Sequence, residues 1–412
     1  VVDAVELWTV ELPFRGPVRT AQGAHRARPL LLVRIVGRTL DGPAASVEGW
    51  GECAALADTT FDAEDVSRSL AVLRHLLVPA LLERVSRGDR ADRGDRGDRG
   101  DRAGRCSRGD CLLPPPSDLE DLHQASPHAP LAFAALEMAV ADVHLRVERR
   151  SLAGLLGVEG RRVQLGAVAG QADTTDQLVA SVGELVEQGY SRVKLKIGPG
   201  WDLEPLTRVA RAFPDLRLQV DANGSYRPGD GAHLSELDQF GLLCLEQPFD
   251  RSDLAAHVHQ ATRMSTPICL DESLDSPRAV DEALAMGACS VVCVKPSRLG
   301  GIGAALSVIE RCSRSAVPLW MGGMFESGYA RGVNTVLGAL DGMTWPGDLS
   351  PSRTYLEDDL VPETPEVPPT RDGPRASRVA TPPPGPGMGP LPDPAALARY
   401  GMSHQVIRVP GA

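Results

Sequence analysis

Five charged residues end short apolar runs at nearly equal intervals. Lys196, Asp221, Glu246, Asp271 and Lys295 follow one another at spacings of 25, 25, 25 and 24 residues. They close the stretches "RVKLK", "LRLQVD", "LLCLE", "TPICLD" and "SVVCVK". An interval of that length holds one strand, one helix and their turns. In a closed parallel barrel the strand ends converge on one mouth, which is where such folds keep their reactive groups. Three carboxylates brought together there repel one another and resist ionisation unless a cation joins them. Oxygen donors suit a hard divalent ion, Mg²⁺ first and Mn²⁺ as a substitute, with positions left for water or substrate. Salt bridges to separate lysines would explain any one of the acids; a shared period for all three favours the metal.

Lys194 precedes Lys196 by two residues, so alternation along a strand puts both on one side. Lys295 lies beyond the carboxylates in strand order. Cations on both sides of a metal suit removal of a proton from the carbon next to a carboxylate. The enediolate formed would then meet positive charge already in position. A lysine near other cations and a metal is expected to have a lowered pKa and to act as the general base.

The elements that must position these residues can be read from pattern. The chain has 412 residues, about two domains' worth. It is 42% hydrophobic and 24% charged, ordinary for a globular protein. A net charge of -11 weighs against nucleic acid as a partner. No apolar run is long enough to span a membrane, and the acidic start "VVDAVELWTVELPF" does not read as a secretory leader. Cys244, Cys269 and Cys293 lie inside apolar runs, as reduced core cysteines of a cytoplasmic protein do.

Residues 1–129 read as an α+β domain. "VDAVELWTVEL", "PLLLVRIV" and "SVEGWGEC" are expected strands, and "DAEDVSRSLAVLRHLLVPALLERV" is an expected helix with Asp62 as N-cap. A Gly-Asp-Arg repeat at 86–110 has almost no apolar residue to offset its ordering entropy, so 86–117 is expected to be a disordered insert. Its RGD triplets follow from the repeat, and Cys106 and Cys111 read as loop thiols. Residues 130–355 alternate strand and helix patterns, which implies a parallel sheet. Seven such strand patterns suggest a closed barrel, with an eighth strand expected near "GMTWPGDLS". The Pro-rich segment 356–412 ends in "HQVIRV", a strand expected to return to the first domain. "LGGIGA" reads as a turn and not a phosphate loop, and His257 and His259 read as surface residues.

The motifs "KLK", "VDANGSY", "LEQPF", "LDESL" and "VVCVKPSRLGG" together resemble the enolase superfamily in its muconate-lactonizing branch. "GWGEC", "WMGGMFESGYARGVN" and "PGDLSP" are similar to its group of o-succinylbenzoate synthases and N-succinylamino acid racemases. The resemblance implies an α/β fold, a modified (β/α) TIM-type barrel with an α+β capping domain. It implies Mg²⁺ on Asp221, Glu246 and Asp271, with Asn223 and Glu272 beside the metal. Lys196 would take the α-proton and return it to the departing hydroxyl. Lys194 would hold the substrate carboxylate, and Lys295 would stabilise the intermediate or serve as a second acid/base. Gly322, Gly323 and Met324 would line the pocket, and the loop "RTAQGAHRA", with Arg19 and Thr20, would close over it. Val168 stands where relatives that racemise often place Ser. The implied enzyme is a carbon–oxygen lyase that forms 2-succinylbenzoate on the way to menaquinone. The alternative is racemisation of N-acylamino acids by Lys196 and Lys295. The expected partners are a small-molecule carboxylate and, as one option, further copies of the chain in a homo-oligomer.

Overall fold

The computed structural model describes residues 1–20, 23–39, 45–60, 62–94, 113, 115–170, 172–362, 366–367 and 378–409, without the side chains at 19–20, 23–24, 87–94 and 366–367. Arg19 and Thr20 end the first strand, and their side chains lie outside this description, as do Cys106 and Cys111.

Strands β1 (Val2–Thr20), β2 (Gly23–Arg38), β3 (Ser46–Cys53) and β14 (Gly401–Arg408) form an antiparallel sheet in the order β14-β1-β2-β3. Its fourth member, β14, comes from the far end of the chain and pairs with β1. One sheet face carries Val5, Leu7, Leu31, Val33 and Ile35 against Leu73, Leu77, Leu81 and Val85 of the helical segment that follows. The long helix Pro130–Val147 packs directly on β3. Gly49 and Gly51 permit this approach, since a Cβ on Gly49 would lie 2.5 Å from Val143 N, and one on Gly51 would overlap Ala135 O.

Asp62 is not the N-cap expected of it. Asp65 caps the helix Val66–Val72 by accepting from Arg68 N at 2.8 Å, while Asp62 is buried in an ion pair described below. The helix Val78–Gly94 also runs into the Gly-Asp-Arg repeat, so residues 86–94 are helical and not a loop. Turns already anchored by Leu81, Leu82 and Val85 carry the nucleation cost, and extension from them is cheap. Residues 95–112 lie outside the described set.

The barrel strands are β5 (Ala167–Ala169), β6 (Arg192–Lys196), β7 (Arg217–Asp221), β8 (Leu245–Glu246), β9 (Ile268–Leu270), β10 (Val291–Val294) and β11 (Leu319–Met321). They form one seven-stranded sheet in sequence order, every neighbour parallel. Capped helices intervene, such as Thr175–Glu187, where Thr174 and Gln177 form a capping box. No eighth strand is found near "GMTWPGDLS" among the described residues. Instead Gly166 N donates to Gly347 O (2.7 Å) and Asp348 N to Met321 O (2.8 Å), so two residues join the sheet's two edges. Pro346, which has no N–H, keeps this segment from a longer ladder. A small sheet of β4 (Val163–Gln164), β12 (Glu366–Val367) and β13 (Val379–Ala380), in the order β12-β13-β4, lies beside it.

Buried carboxylates fasten the antiparallel sheet and its helix to the barrel. Ser327 donates its N–H (2.9 Å) and its hydroxyl to Glu52 of β3. Ile302 N (2.6 Å) and Gly303 N (2.9 Å), at the start of the helix Ile302–Arg314, donate to Glu137. "LGGIGA" is thus a turn whose helix end is already taken by Glu137, and Gly301, at φ 113°, leaves room for that carboxylate. Burial raises Glu52 from 4.5 to about 7 despite the Ser327 bonds. The folded state therefore holds a proton that the unfolded chain has lost between those values, and stability falls as pH rises through that window. One proton corresponds to at most about 1.4 kcal/mol per pH unit. Glu52→Gln is expected to remove this decline: between pH 4.5 and 7 its Tm should gain on the wild type, whereas parallel profiles would contradict the assignment.

Candidate active site

Strand alternation carries Lys194 and Lys196 to the barrel interior together. Register then fixes their neighbours. Lys196 pairs with Asp221, Asp221 with Glu246, and Lys194 with Val168 on one side and Gln219 on the other. Val168 is 41% exposed, unlike the rest of β5.

Lys194 Nζ lies 3.1 Å from Asp221 Oδ2, 3.0 Å from Glu246 Oε2 and 2.8 Å from Asp348 Oδ2. It also sits 4.8 Å from the Trp320 ring centroid. Lys196 Nζ contacts Asp221 Oδ2 and Asn223 Oδ1, both at 2.7 Å. Across the cluster, Lys295 Nζ is 2.7 Å from Asp271 Oδ2. Arg298 holds the other Asp271 oxygen and donates from Nε to Asp62 at 2.7 Å. The Lys194 side chain is 5% exposed and that of Lys196 30%, so Lys196 is the one open to the mouth. Asn223, in a left-handed conformation (φ 43°), donates to Glu272 Oε1 at 2.8 Å.

Burial opposes charge on Lys194, Lys295, Asp221, Asp271, Glu246 and Glu272, and neighbours decide the outcome. For Lys194, burial is outweighed by Asp348, Glu246 and Asp221, and its pKa stands well above the ordinary value. For Lys295, burial and Arg298 are outweighed chiefly by Asp271, and its pKa is also raised. The lowered lysine pKa expected from neighbouring cations is therefore not found at these two, because each is paired directly with carboxylates. Against burial, Lys196 and Lys194 bring Asp221 down to about 2, and Arg298 and Lys295 hold Asp271 low. Glu246 goes the other way, raised by burial and by Asp221. Glu272 rises to about 7 through burial and Asp271.

The carboxylates meet the donor chemistry of a hard divalent ion, and the ammonium groups of Lys194, Lys196 and Lys295 lie 2.7–3.1 Å from them. Ligand atoms of Glu246, Asp271 and Cys293 lie within 4.8 Å of one another. The apolar run around Cys293 marks it only as a core residue. Asp348, which holds Lys194 and Arg192 (2.5 Å), and Arg298, three residues past Lys295, stand outside the strand-end period that marks the other charged residues. Gly322 faces this cluster: a Cβ there would sit 2.5 Å from Cys293 Sγ and 2.8 Å from Lys295 Cγ. A Cβ on Gly323 would meet the Arg331 guanidinium at 2.8 Å, and Met324 is buried in the core beneath the antiparallel sheet. His259 is exposed as expected, but His257 is fully buried against Phe249, on the inner face of its helix.

A parallel barrel with acids and lysines at one mouth, covered by an α+β domain built from both chain ends, defines a class of enzymes. The family "Enolase C-terminal domain-like" matches residues 177–396, and the chain belongs to the enolase superfamily. It is 39% identical over 361 residues to an N-succinylamino acid racemase of Amycolatopsis, covering 87% of this chain and 89% of that one. It is 33% identical over 366 residues to the o-succinylbenzoate synthase of Geobacillus kaustophilus, covering 89% and 88%. A crystal structure of an enolase superfamily member from Listeria innocua superposes with a TM-score of 0.83 at 29% identity, covering 99% of each chain. No described helix is long and apolar enough to cross a membrane.

Asp348 neutralises two buried cations at once, so Asp348→Asn leaves Arg192 short of its counter-charge. Removing one partner of a buried pair costs about 3–5 kcal/mol. Urea unfolding at neutral pH should show a loss of that order. A loss under about 1 kcal/mol, the range of an exposed pair, would contradict the arrangement.

Proposed function

We propose that the protein is an o-succinylbenzoate synthase, a carbon–oxygen lyase that dehydrates 2-succinyl-6-hydroxy-2,4-cyclohexadiene-1-carboxylate to 2-succinylbenzoate for menaquinone. The observation that carries this reading is the asymmetry of the lysines. Lys196 is open to the mouth, while Lys194 and Lys295 are buried and locked onto carboxylates. Relatives named o-succinylbenzoate synthase support the substrate.

Mg²⁺ on Asp221, Glu246 and Asp271 would supply a Lewis acid for the substrate carboxylate and offset the charge that grows there. Lys196 takes the α-proton at Nζ, with Asp221 and Asn223 fixing its position. The ring then expels its hydroxyl. Lys196 returns the proton to that oxygen, the C–O bond breaks, and water leaves as the ring becomes aromatic. One residue serves both transfers, so hydrogen and hydroxyl depart from the same face. Lys194, held charged by three carboxylates, acts as a fixed positive charge and not as a proton carrier. Lys295, also held charged, faces the developing enediolate from the other side.

The second reading, racemisation of N-succinylamino acids, is favoured by the 39% identity to a racemase. It needs Lys295 to exchange a proton as well, and so to leave Asp271.

With Mg²⁺ and the cyclohexadiene, the purified protein should form the aromatic product, followed by absorbance. Lys196→Ala should lower kcat by at least about 10²–10⁴-fold, the contribution of a positioned acid–base group. An inactive wild type, or a fully active variant, would refute the assignment.

A further inference from the structure

We propose that Cys293 turns the metal centre into a mixed sulfur–oxygen site, so that thiophilic divalent ions bind on Glu246, Asp271 and Cys293. The inference rests on the carboxylates being a metal site and adds a donor which that reading does not use. One ligand atom from each residue lies within 4.8 Å of the other two. A tetrahedral zinc ion holds its donors about 3.5 Å apart, so closure takes shifts of about 1 Å in rotatable side chains.

The strand register directs the sulfur inward. Cys269 pairs with Val291 and Leu270 with Val292, so Asp271, the residue just past β9, follows on beside Cys293. Gly322 supplies the room, because any side chain there would strike the sulfur. Two buried acceptors without hydrogen-bond partners adjoin the cluster. Gln219 Oε1 belongs to the amide that donates to Glu246, and Glu272 Oε2 to the residue after Asp271. Neither can donate as an ionised or amide oxygen, and both suit a water held on an ion.

Three anionic ligands exceed the charge of one divalent ion, and Lys194, Lys295 and Arg298 surround them to offset the excess. As the metal–sulfur bond forms, the S–H bond breaks and its proton passes to solvent. Mg²⁺ has no use for the sulfur, whereas Zn²⁺, Co²⁺ and Cd²⁺ prefer it. The deeper Cys269 is committed elsewhere, accepting from Trp320 Nε1 at 3.3 Å.

The test uses the full chain with Cys106→Ser and Cys111→Ser, which removes the thiols of the insert. Titration with Co²⁺ alone should produce a sulfur-to-cobalt charge-transfer band that saturates at one ion per chain. Cys269→Ser should keep the band, and Cys293→Ser should bind Co²⁺ without it. Zinc-edge X-ray absorption, which needs no change at Cys293, should show one sulfur at about 2.3 Å among lighter ligands. A band that survives Cys293→Ser, or a shell of oxygen and nitrogen only, overturns the sulfur ligand and leaves the carboxylate site standing. Failure to bind Co²⁺ at all overturns both.

Discussion

Four carboxylates, the buried Asp221, Glu246 and Asp271 and the half-buried Asp348, share one barrel interior, and the structure depends on balancing their charge. Ions removed from water cost several kcal/mol each unless countered at close range. Lys194 is the central counter-charge. It touches three of the four and rests on the Trp320 ring. Arg192 secures Asp348 from below, and Arg298 secures Asp271 from the side. Each acid keeps a fixed position because its cation is itself fixed.

That network reaches beyond the barrel. Asp62, from the segment after β3, pairs with Arg298, which pairs with Asp271. A chain of buried charges thus links the α+β domain to the site. Backbone bonds reinforce it. Arg28 donates to Ala54 O at 2.8 Å and Phe325 O at 3.0 Å, and Asp142 accepts from Trp50 N at 2.9 Å. With Glu52 and Glu137, these contacts use buried polar side chains to satisfy backbone atoms at the junction, where an unpaired polar group would be costly. The covering domain is held in place by the same class of interaction that holds the reactive residues.

Much of this was legible in sequence because barrels repeat. One strand and one helix per unit put Lys196, Asp221, Glu246, Asp271 and Lys295 in register, and alternation put Lys194 beside Lys196. What escaped had no period to reveal it. Asp348 lies where no strand forms, and its partners Arg192 and Lys194 are more than 150 residues away. An acid just before an apolar-periodic stretch has two uses, so Asp62 reads as a cap although it is an ion-pair partner and only Asp65 has the cap geometry. Cys293 looked like core because an inward barrel position is also apolar in composition. The direction of the Lys194 and Lys295 shifts depended on distances that no spacing encodes.

The central claim is a division of labour: Lys196 moves the proton, while Lys194 and Lys295 supply fixed charge. Proton NMR in D₂O tests it most directly, with Mg²⁺ and an N-succinylamino acid, whose α-hydrogen can exchange although no hydroxyl can leave. The account predicts that one enantiomer exchanges its α-hydrogen in the wild type and in Lys295→Ala, and that Lys196→Ala abolishes this exchange. Undiminished exchange of that enantiomer in Lys196→Ala would contradict it.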